Sequence, residues 1–327
     1  MIDLGGLGFI GAGNDITDLE KWLTESRRLL DASSIRLPTR DGTLPIGIGL
    51  LIWGAPIEKT MSIISKPENR PAAIWLFAPR QYEDLATWTR EIRKATNGTT
   101  KVWIQVGTVA EALNAVEYAE PDVLVVQGTD AGGHGLSKGA GLIPLLPETI
   151  DAVRATSQKL NKKMPLFVAT GGIITGSCLA AALSMGAHGA TLGTRYLAAH
   201  EATIAPGYQE AVLRAKDGGV STVRSKVYDS LRGTTDWPVH YGGRGVINAS
   251  YEDFEKGMNL EENKKLYDQA MKQGDEGWKE DGGRLTTYAG TGVGLVTRVQ
   301  PAGEITIEVR EQAVEILRQM AEKVKAF

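Results

Sequence analysis

The sequence predicts an α/β fold of the TIM-type (β/α)8 barrel class, shortened at its N-terminal end to about seven strands and carrying a smaller, mostly helical lid. Three observations predict this class. Short apolar runs lack the polar alternation of half-exposed strands, as expected of parallel strands that are covered on both faces. Amphipathic helical segments separate these runs. Glycine-rich corners follow the last two runs, where barrels of this class bind phosphate groups.

The predicted strands are apolar runs rich in Val, Ile and Leu. They occupy residues 7–10, 46–53, 73–77, 102–106, 123–127, 166–169 and 190–192. Capping residues predict where the intervening helices begin. Thr108 and Glu111 have the spacing of a capping box, and Asp15 is a candidate N-cap of the first helix. Thr175 is a candidate N-cap of the helix that follows residues 166–169, with Gly186 as its stop.

After residue 197 the sequence becomes more polar, and helices are predicted near residues 208–216, 251–273 and 301–325. We therefore expect a barrel formed by residues 1–197 and 288–327, with residues 198–287 as the lid. An open doubly wound sheet is the competing fold, and its best fingerprint is Gly6-x-Gly8-x-x-Gly11. Only five residues precede Gly6, too few for the strand that must come before it. For the same reason an eighth strand is missing, so either the chain begins inside the barrel or another segment closes the gap.

The composition excludes several classes of protein. Lys and Arg total 36 against 39 Asp and Glu, for a formal charge of −3. The chain therefore lacks the excess of positive charge that is typical of proteins that bind nucleic acid or anionic lipid. The sequence shows neither an apolar run long enough to span a membrane nor a secretory signal. Cys178 is the only cysteine, which excludes an intramolecular disulfide and a cysteine-cluster metal site. These features favour a reduced, cytoplasmic setting without a metal.

Two strand ends predict a phosphate site. Gly171 and Gly172 leave backbone N–H groups uncovered just before a helix N-terminus, where the helix dipole favours an anion. Gly193 and Thr194, at the next strand end, could add a further N–H and a hydroxyl. This pattern does not identify which phosphate compound binds, because flavin mononucleotide (FMN), pyridoxal phosphate and sugar phosphates all use such sites.

A third strand end carries the candidate catalytic group. Gln127-Gly-Thr-Asp-Ala-Gly-Gly-His134 places a glycine-rich loop, an acid and a histidine where barrel chemistry occurs. His134 could act as a base near neutral pH above a flat ring system that Gly133 admits. Asp130 either holds this loop or is a solvated turn residue. Trp237, His240, Tyr241 and Tyr288 either line the substrate side or anchor loops.

The run Gln127–His134, the pair Gly171-Gly172 and the Gly193-Thr194-Arg195 segment together resemble the nitronate monooxygenase family, formerly called 2-nitropropane dioxygenases. The resemblance covers most of the chain but not that family's first strand and helix. It implies a barrel that binds FMN non-covalently. The residues that it would assign to the phosphate are Gly171, Gly172, Gly193 and Thr194. Gln105 and Gly133 would lie beside the flavin ring, and His134 would be the catalytic histidine.

The activity implied by this resemblance is the oxidation of an alkyl nitronate by FMN with O2, which yields a carbonyl compound and nitrite. His134 would orient the anionic nitronate or take the α-proton of a neutral nitroalkane, and Gln105 would stabilise charge on the reduced flavin. Two alternatives stay open at this point. One is an NAD(P)H-dependent FMN reductase of the enoyl or quinone reductase type, and the other is a non-catalytic homologue that has lost the cofactor.

Overall fold

The structure, a computed structural model, describes residues 6–33 and 42–325. The chain divides into two compact units. The first comprises Met1–Val126 and Leu145–Val168, and the second comprises Gln127–Pro144 and Ala169–Phe327. The assignment of residues 198–287 to a lid is not tested by this division and stays a prediction. Residues 1–5, on which the prediction of a missing eighth strand rests, lie outside the described residues.

The described residues contain ten strands, and the elements are numbered here in chain order. The strands are β1 (Phe9–Gly13), β2 (Leu44–Leu51), β3 (Pro71–Phe77), β4 (Lys101–Val106), β5 (Val123–Gln127), β6 (Gly133–Leu136), β7 (Leu166–Thr170), β8 (Gly189–Thr191), β9 (Thr222–Ser225) and β10 (Tyr241–Val246). The α-helices are α1 (Leu19–Ala32), α2 (Ile57–Ile64), α3 (Tyr82–Ala95), α4 (Val109–Asn114), α5 (Leu142–Lys159), α6 (Gly176–Ser184), α7 (Pro206–Arg214), α8 (Gly218–Ser221), α9 (Val227–Arg232), α10 (Ala249–Glu255), α11 (Leu260–Lys272) and α12 (Ala302–Lys325).

Seven strands form one sheet in the order β1-β2-β3-β4-β5-β7-β8, and the pairs from β1 to β5 are parallel. Each of the seven predicted apolar runs coincides with one of these strands. Residues 123–126 of β5 are all buried, so this strand is covered on both faces. In β2 and β4 buried residues mostly alternate with half-buried ones. Helices separate most of these strands, so the predicted α/β class is confirmed.

Aromatic rings fill part of the core of the first unit. The Phe9 ring packs edge-on against Trp75, with ring centroids 5.3 Å apart, and lies 5.0 Å from the Trp103 ring. Gly47 is required beside them, because a Cβ at this position would overlap the Phe9 ring. The Trp75 indole N–H donates to Oε1 of Gln105 at 3.0 Å. Gln105 is therefore held by the aromatic cluster of this unit.

Some predicted helix ends are correct and others are wrong. Thr108 caps α4 as predicted, because its hydroxyl accepts the Glu111 N–H at 3.1 Å. Asp15 does not cap α1, which begins after Asp18. The Asp15 carboxylate instead accepts the backbone N–H and the hydroxyl of Thr17, which closes a local turn two residues before the helix.

The second unit contains a three-stranded antiparallel sheet that the sequence did not predict. Its order is β6-β10-β9, and His134 of β6 lies opposite Gly243 of β10. The predicted helix over residues 251–273 is also interrupted, since α10 ends at Glu255 and the chain turns through Gly257 with φ +87°. In the described part of the chain, no helix has both the length and the apolar character that a membrane span requires.

Candidate active site

The second unit contains a cavity of about 290 Å³. This volume is near the lower end of the range of about 300–1,000 Å³ for small-molecule sites. The cavity is bordered by the chain that follows β5, β7 and β8, together with two tyrosines. The lining residues are Gln127, Ala131, Gly132, Gly133, Thr170, Gly171, Gly172, Ile173, Ile174, Thr191, Gly193, Thr194, Leu197, Tyr208 and Tyr288. Three strand ends that carry predicted site residues therefore meet at one cavity.

The first of two glycine corners, the turn formed by Gly171 and Gly172, follows β7. Gly171 and Gly172 both have left-handed backbone conformations, with φ +98° and +77°. A Cβ on Gly171 would lie 2.8 Å from the carbonyl oxygen of Gly128, so this close approach also requires glycine. Among the described residues, the backbone N–H groups of Gly172 and Ile173 donate to no backbone carbonyl. These donors line the cavity just before the N-terminus of α6.

The second glycine corner, formed by Gly193 and Thr194, follows β8. A Cβ on Gly193 would meet no atom within 4 Å, so the space beside this backbone is open. The buried Thr194 hydroxyl accepts the Gly290 N–H at 3.0 Å, which leaves its own hydrogen free to donate. The two corners thus offer backbone N–H groups, a hydroxyl and the positive end of a helix. This donor set fits a phosphate dianion.

His134 is held by three side chains. Its Nε2 lies 2.8 Å from Oδ1 of Asp229. Its ring is stacked on Trp237, with ring centroids 3.7 Å apart and planes inclined by 4°. The Tyr288 ring lies 5.3 Å away at an angle of 59°. His134 itself is not among the cavity-lining residues, but its chain neighbour Gly133 and its ring neighbour Tyr288 are.

Asp229, at the centre of these contacts, is a residue that the sequence did not single out. Its side chain is only 7% exposed. Besides the imidazole, Oδ1 accepts the Tyr288 hydroxyl at 2.9 Å and the Thr234 hydroxyl at 3.2 Å. Burial, followed by the negative charge of Asp229, raises the pKa of Tyr288 well above its usual value. Tyr288 therefore remains a hydrogen-bond donor to this carboxylate.

A buried arginine fixes the loop that carries His134. The guanidinium of Arg224 donates to the carbonyl oxygens of Gly133, Ala131 and Gly242 at 2.7–3.0 Å. Burial, and then repulsion from the neighbouring Arg244, lowers the pKa of Arg224 to about 10, so it stays charged at neutral pH. No local pattern predicted Arg224, because two of its partners, the carbonyl groups of Gly133 and Ala131, lie 91 and 93 residues earlier in the chain.

Asp130, in the same loop, is hydrogen-bonded to Thr291. Its Oδ1 accepts the Thr291 hydroxyl at 2.8 Å, and its carbonyl oxygen accepts the Thr291 N–H at 3.0 Å. Of the two alternatives for this residue, the structure favours a loop-holding role. Its carboxylate performs this role by accepting the Thr291 hydroxyl, and its carbonyl oxygen by accepting the Thr291 N–H.

The predicted site residues are distributed as follows. The cavity of the second unit is lined by Gly133, Gly171, Gly172, Gly193 and Thr194, and His134 flanks it through its neighbours. Gln105 belongs to the first unit, where it is bonded to Trp75, so its predicted place beside a flavin ring stays a prediction. His240 packs against Tyr241, with ring centroids 4.6 Å apart. Neither of these two rings lines the cavity.

Comparison with known proteins places the chain beside one enzyme family. A family model described as nitronate monooxygenase matches residues 84–312. The nitronate monooxygenase npaC of Metarhizium robertsii is 45% identical over 316 residues, which cover 96% of this chain and 85% of that protein. A nitronate monooxygenase of Neurospora crassa is 35% identical over 99% of this chain and 85% of its own length.

Solved structures share the fold at low sequence identity. A nitroalkane oxidase from Streptomyces ansochromogenes has a TM-score of 0.68 at 21% identity, and the match covers 98% of this chain and 91% of that one. FabK from Thermotoga maritima has the same TM-score at 19% identity, over 98% of this chain and 89% of its own. These matches support the predicted barrel-type fold.

Proposed function

The chain belongs to the nitronate monooxygenase family, and from this premise we propose that it binds FMN and oxidises alkyl nitronates with O2 to a carbonyl compound and nitrite. The observation that carries the proposal is the cavity of the second unit. Its two glycine corners offer donors for a phosphate, and its border includes Gly133, which precedes His134, and Tyr288, whose ring lies beside the imidazole. A flavin supplies the redox group that this chemistry requires, and a histidine beside the cavity can orient the anionic nitronate.

The residues at the corners fit the phosphate end of FMN. The N–H groups of Gly172 and Ile173 have no backbone acceptor among the described residues, and Thr194 keeps a hydroxyl hydrogen to donate. The open space beside Gly193 is where an added Cβ would intrude. When bound, FMN would supply the redox chemistry that connects a nitronate with O2.

His134 is the side chain that we expect to act on the substrate. An imidazole near neutral pH can hydrogen-bond an anionic nitronate, or take the α-proton of a neutral nitroalkane. The stacked indole of Trp237 and the ring of Tyr288 cover the imidazole, which is 12% exposed, and so limit its access to water. A partly dry environment strengthens the electrostatic interactions of these groups.

The decisive experiment is a spectroscopic titration of the FMN-loaded protein without oxygen. We expect the flavin absorption to bleach on addition of ethylnitronate and to persist on addition of NADH or NADPH. Bleaching by the nicotinamide alone would contradict the proposal and favour a reductase. A protein that acquires no flavin bands even with added FMN would contradict the cofactor assignment.

The role of His134 has its own test. Replacement by Asn should leave the flavin bound and slow turnover of nitroethane by at least 100-fold, the range in which a general base contributes. The matched control is His200→Asn, since His200 lies outside the cavity lining. Unchanged turnover in His134→Asn would remove this residue from the mechanism.

A further inference from the structure

We infer that Asp229 is a positioning residue that fixes the tautomer of His134, so that Nδ1 is the nitrogen that takes the α-proton of a neutral nitroalkane. This inference rests on the proposed function and deepens it. It assigns a role to a carboxylate that does not line the cavity itself but is hydrogen-bonded to the cavity-lining Tyr288.

The tautomer follows from what the groups around Asp229 can donate. An ionised carboxylate only accepts hydrogen bonds. Oδ1 receives one from Tyr288, whose raised pKa keeps its hydroxyl protonated, and one from Thr234. The third group within hydrogen-bond distance is Nε2 of His134, at 2.8 Å. In a neutral imidazole that donates from Nε2, the lone pair resides on Nδ1.

The imidazole is also fixed in orientation. A half-turn of the ring would exchange Nε2 for a carbon atom and would break the bond to Asp229. The flat contact with Trp237 holds the plane of the ring, and Tyr288 bounds a second side. Within the described part of the chain, Nδ1 has no hydrogen-bond partner. Nδ1 is therefore the nitrogen left for a substrate.

The chemical step is a proton transfer. The α-carbon–hydrogen bond of the nitroalkane breaks, its electron pair forms the carbon–nitrogen double bond of the nitronate, and the proton passes to Nδ1. His134 becomes an imidazolium while Nε2–H still faces Asp229, so the new positive charge is compensated by a buried carboxylate. A nitronate supplied as the anion has already lost this proton and does not need the step.

The main test compares two substrates of one enzyme. In FMN-loaded Asp229→Asn we expect kcat/KM for nitroethane to fall at least 100-fold, and kcat/KM for ethylnitronate to change less than about threefold. The kinetic isotope effect with 1,1-dideuteronitroethane should increase, because proton abstraction becomes slower. The matched control is Asp236→Asn, which removes an exposed carboxylate from the neighbouring loop and should leave both substrates unaffected.

A second measurement needs no variant of Asp229. In ¹⁵N-histidine-labelled wild-type protein, NMR spectra that correlate ring nitrogens with ring protons distinguish the two tautomers, and His134→Asn assigns the signals. We expect protonated Nε2 and unprotonated Nδ1. The opposite tautomer would overturn the inference, even if Asp229→Asn does not fold.

The kinetic outcomes separate the inference from the proposed function. If wild-type flavin is not bleached by ethylnitronate, the proposed function fails. If it is bleached but the wild type does not oxidise nitroethane, or if Asp229→Asn affects both substrates equally or neither, only the role of Asp229 is overturned.

Discussion

The imidazole of His134 lies flat against the indole of Trp237, with ring centroids 3.7 Å apart and planes inclined by only 4°. The two rings come from separate parts of the second unit, β6 and the segment between α9 and β10. Trp237 therefore restrains the one side chain to which we assign proton transfer. An aromatic stack of this kind contributes about 0.5–1.5 kcal/mol beyond the area that it buries.

The first prediction concerns this stack. Trp237→Ala should lower kcat/KM for nitroethane by roughly 10-fold, since about 1.4 kcal/mol of restraint corresponds to that factor. Trp237→Phe keeps a flat ring and should stay within about threefold of the wild type. Steady-state kinetics with equal flavin content in all three proteins provide the measurement. Equal losses in both variants would show that the indole acts through something other than its flat contact.

The second prediction concerns the open space beside Gly193. Gly193→Ala places a methyl group where no protein atom lies within 4 Å, so the fold should be preserved while the phosphate is crowded. We expect the FMN dissociation constant to rise at least 10-fold, as measured by fluorescence titration. Gly189→Ala is the matched control, because it also has no atom within 4 Å but does not line the cavity. Equal affinities of the two variants would contradict the phosphate assignment.

The third prediction concerns the backbone of Gly171. Alanine here must adopt φ near +98° and bring its Cβ to within 2.8 Å of the Gly128 carbonyl oxygen. We expect a loss of about 2–3 kcal/mol in the free energy of unfolding, measured by urea denaturation without FMN. Gly98→Ala has a similar positive φ but no atom within 4 Å, so it should lose only about 1 kcal/mol. If both lose the same amount, the contact with Gly128 has no effect.

The strands of the large sheet could be predicted because their signal is local. Each is a short run of mostly apolar residues, and no distant partner is needed to recognise it. The strand ends differ by a few residues from the predicted ones, and β1 begins at Phe9, two residues later than predicted. The sheet formed by β6, β9 and β10 was missed because glycines such as Gly133, Gly242 and Gly243 have low strand propensity.

The candidate site was predictable in part for the same reason. The glycine-rich turns at two strand ends can be recognised in the sequence. The structure places their residues around one cavity: Gly171, Gly172, Gly193 and Thr194. Asp229 gave no such signal. It lies 95 residues from His134 in the sequence, on the short helix α9. The residues of this helix do not indicate a histidine partner. Contacts of this kind depend on tertiary structure alone.

The last prediction concerns Arg224, whose guanidinium holds the loop before His134. Arg224→Met keeps the length of the side chain but leaves the carbonyl groups of Gly133, Ala131 and Gly242 without this donor. Each buried polar group left unpaired costs about 1–3 kcal/mol, so the free energy of unfolding should fall by at least 3 kcal/mol. Urea denaturation measures this loss. Arg154→Met, which removes an exposed pair with Asp151, should change it by less than about 0.5 kcal/mol. A loss in Arg224→Met no larger than in this control would show that solvent replaces the guanidinium at those carbonyl groups.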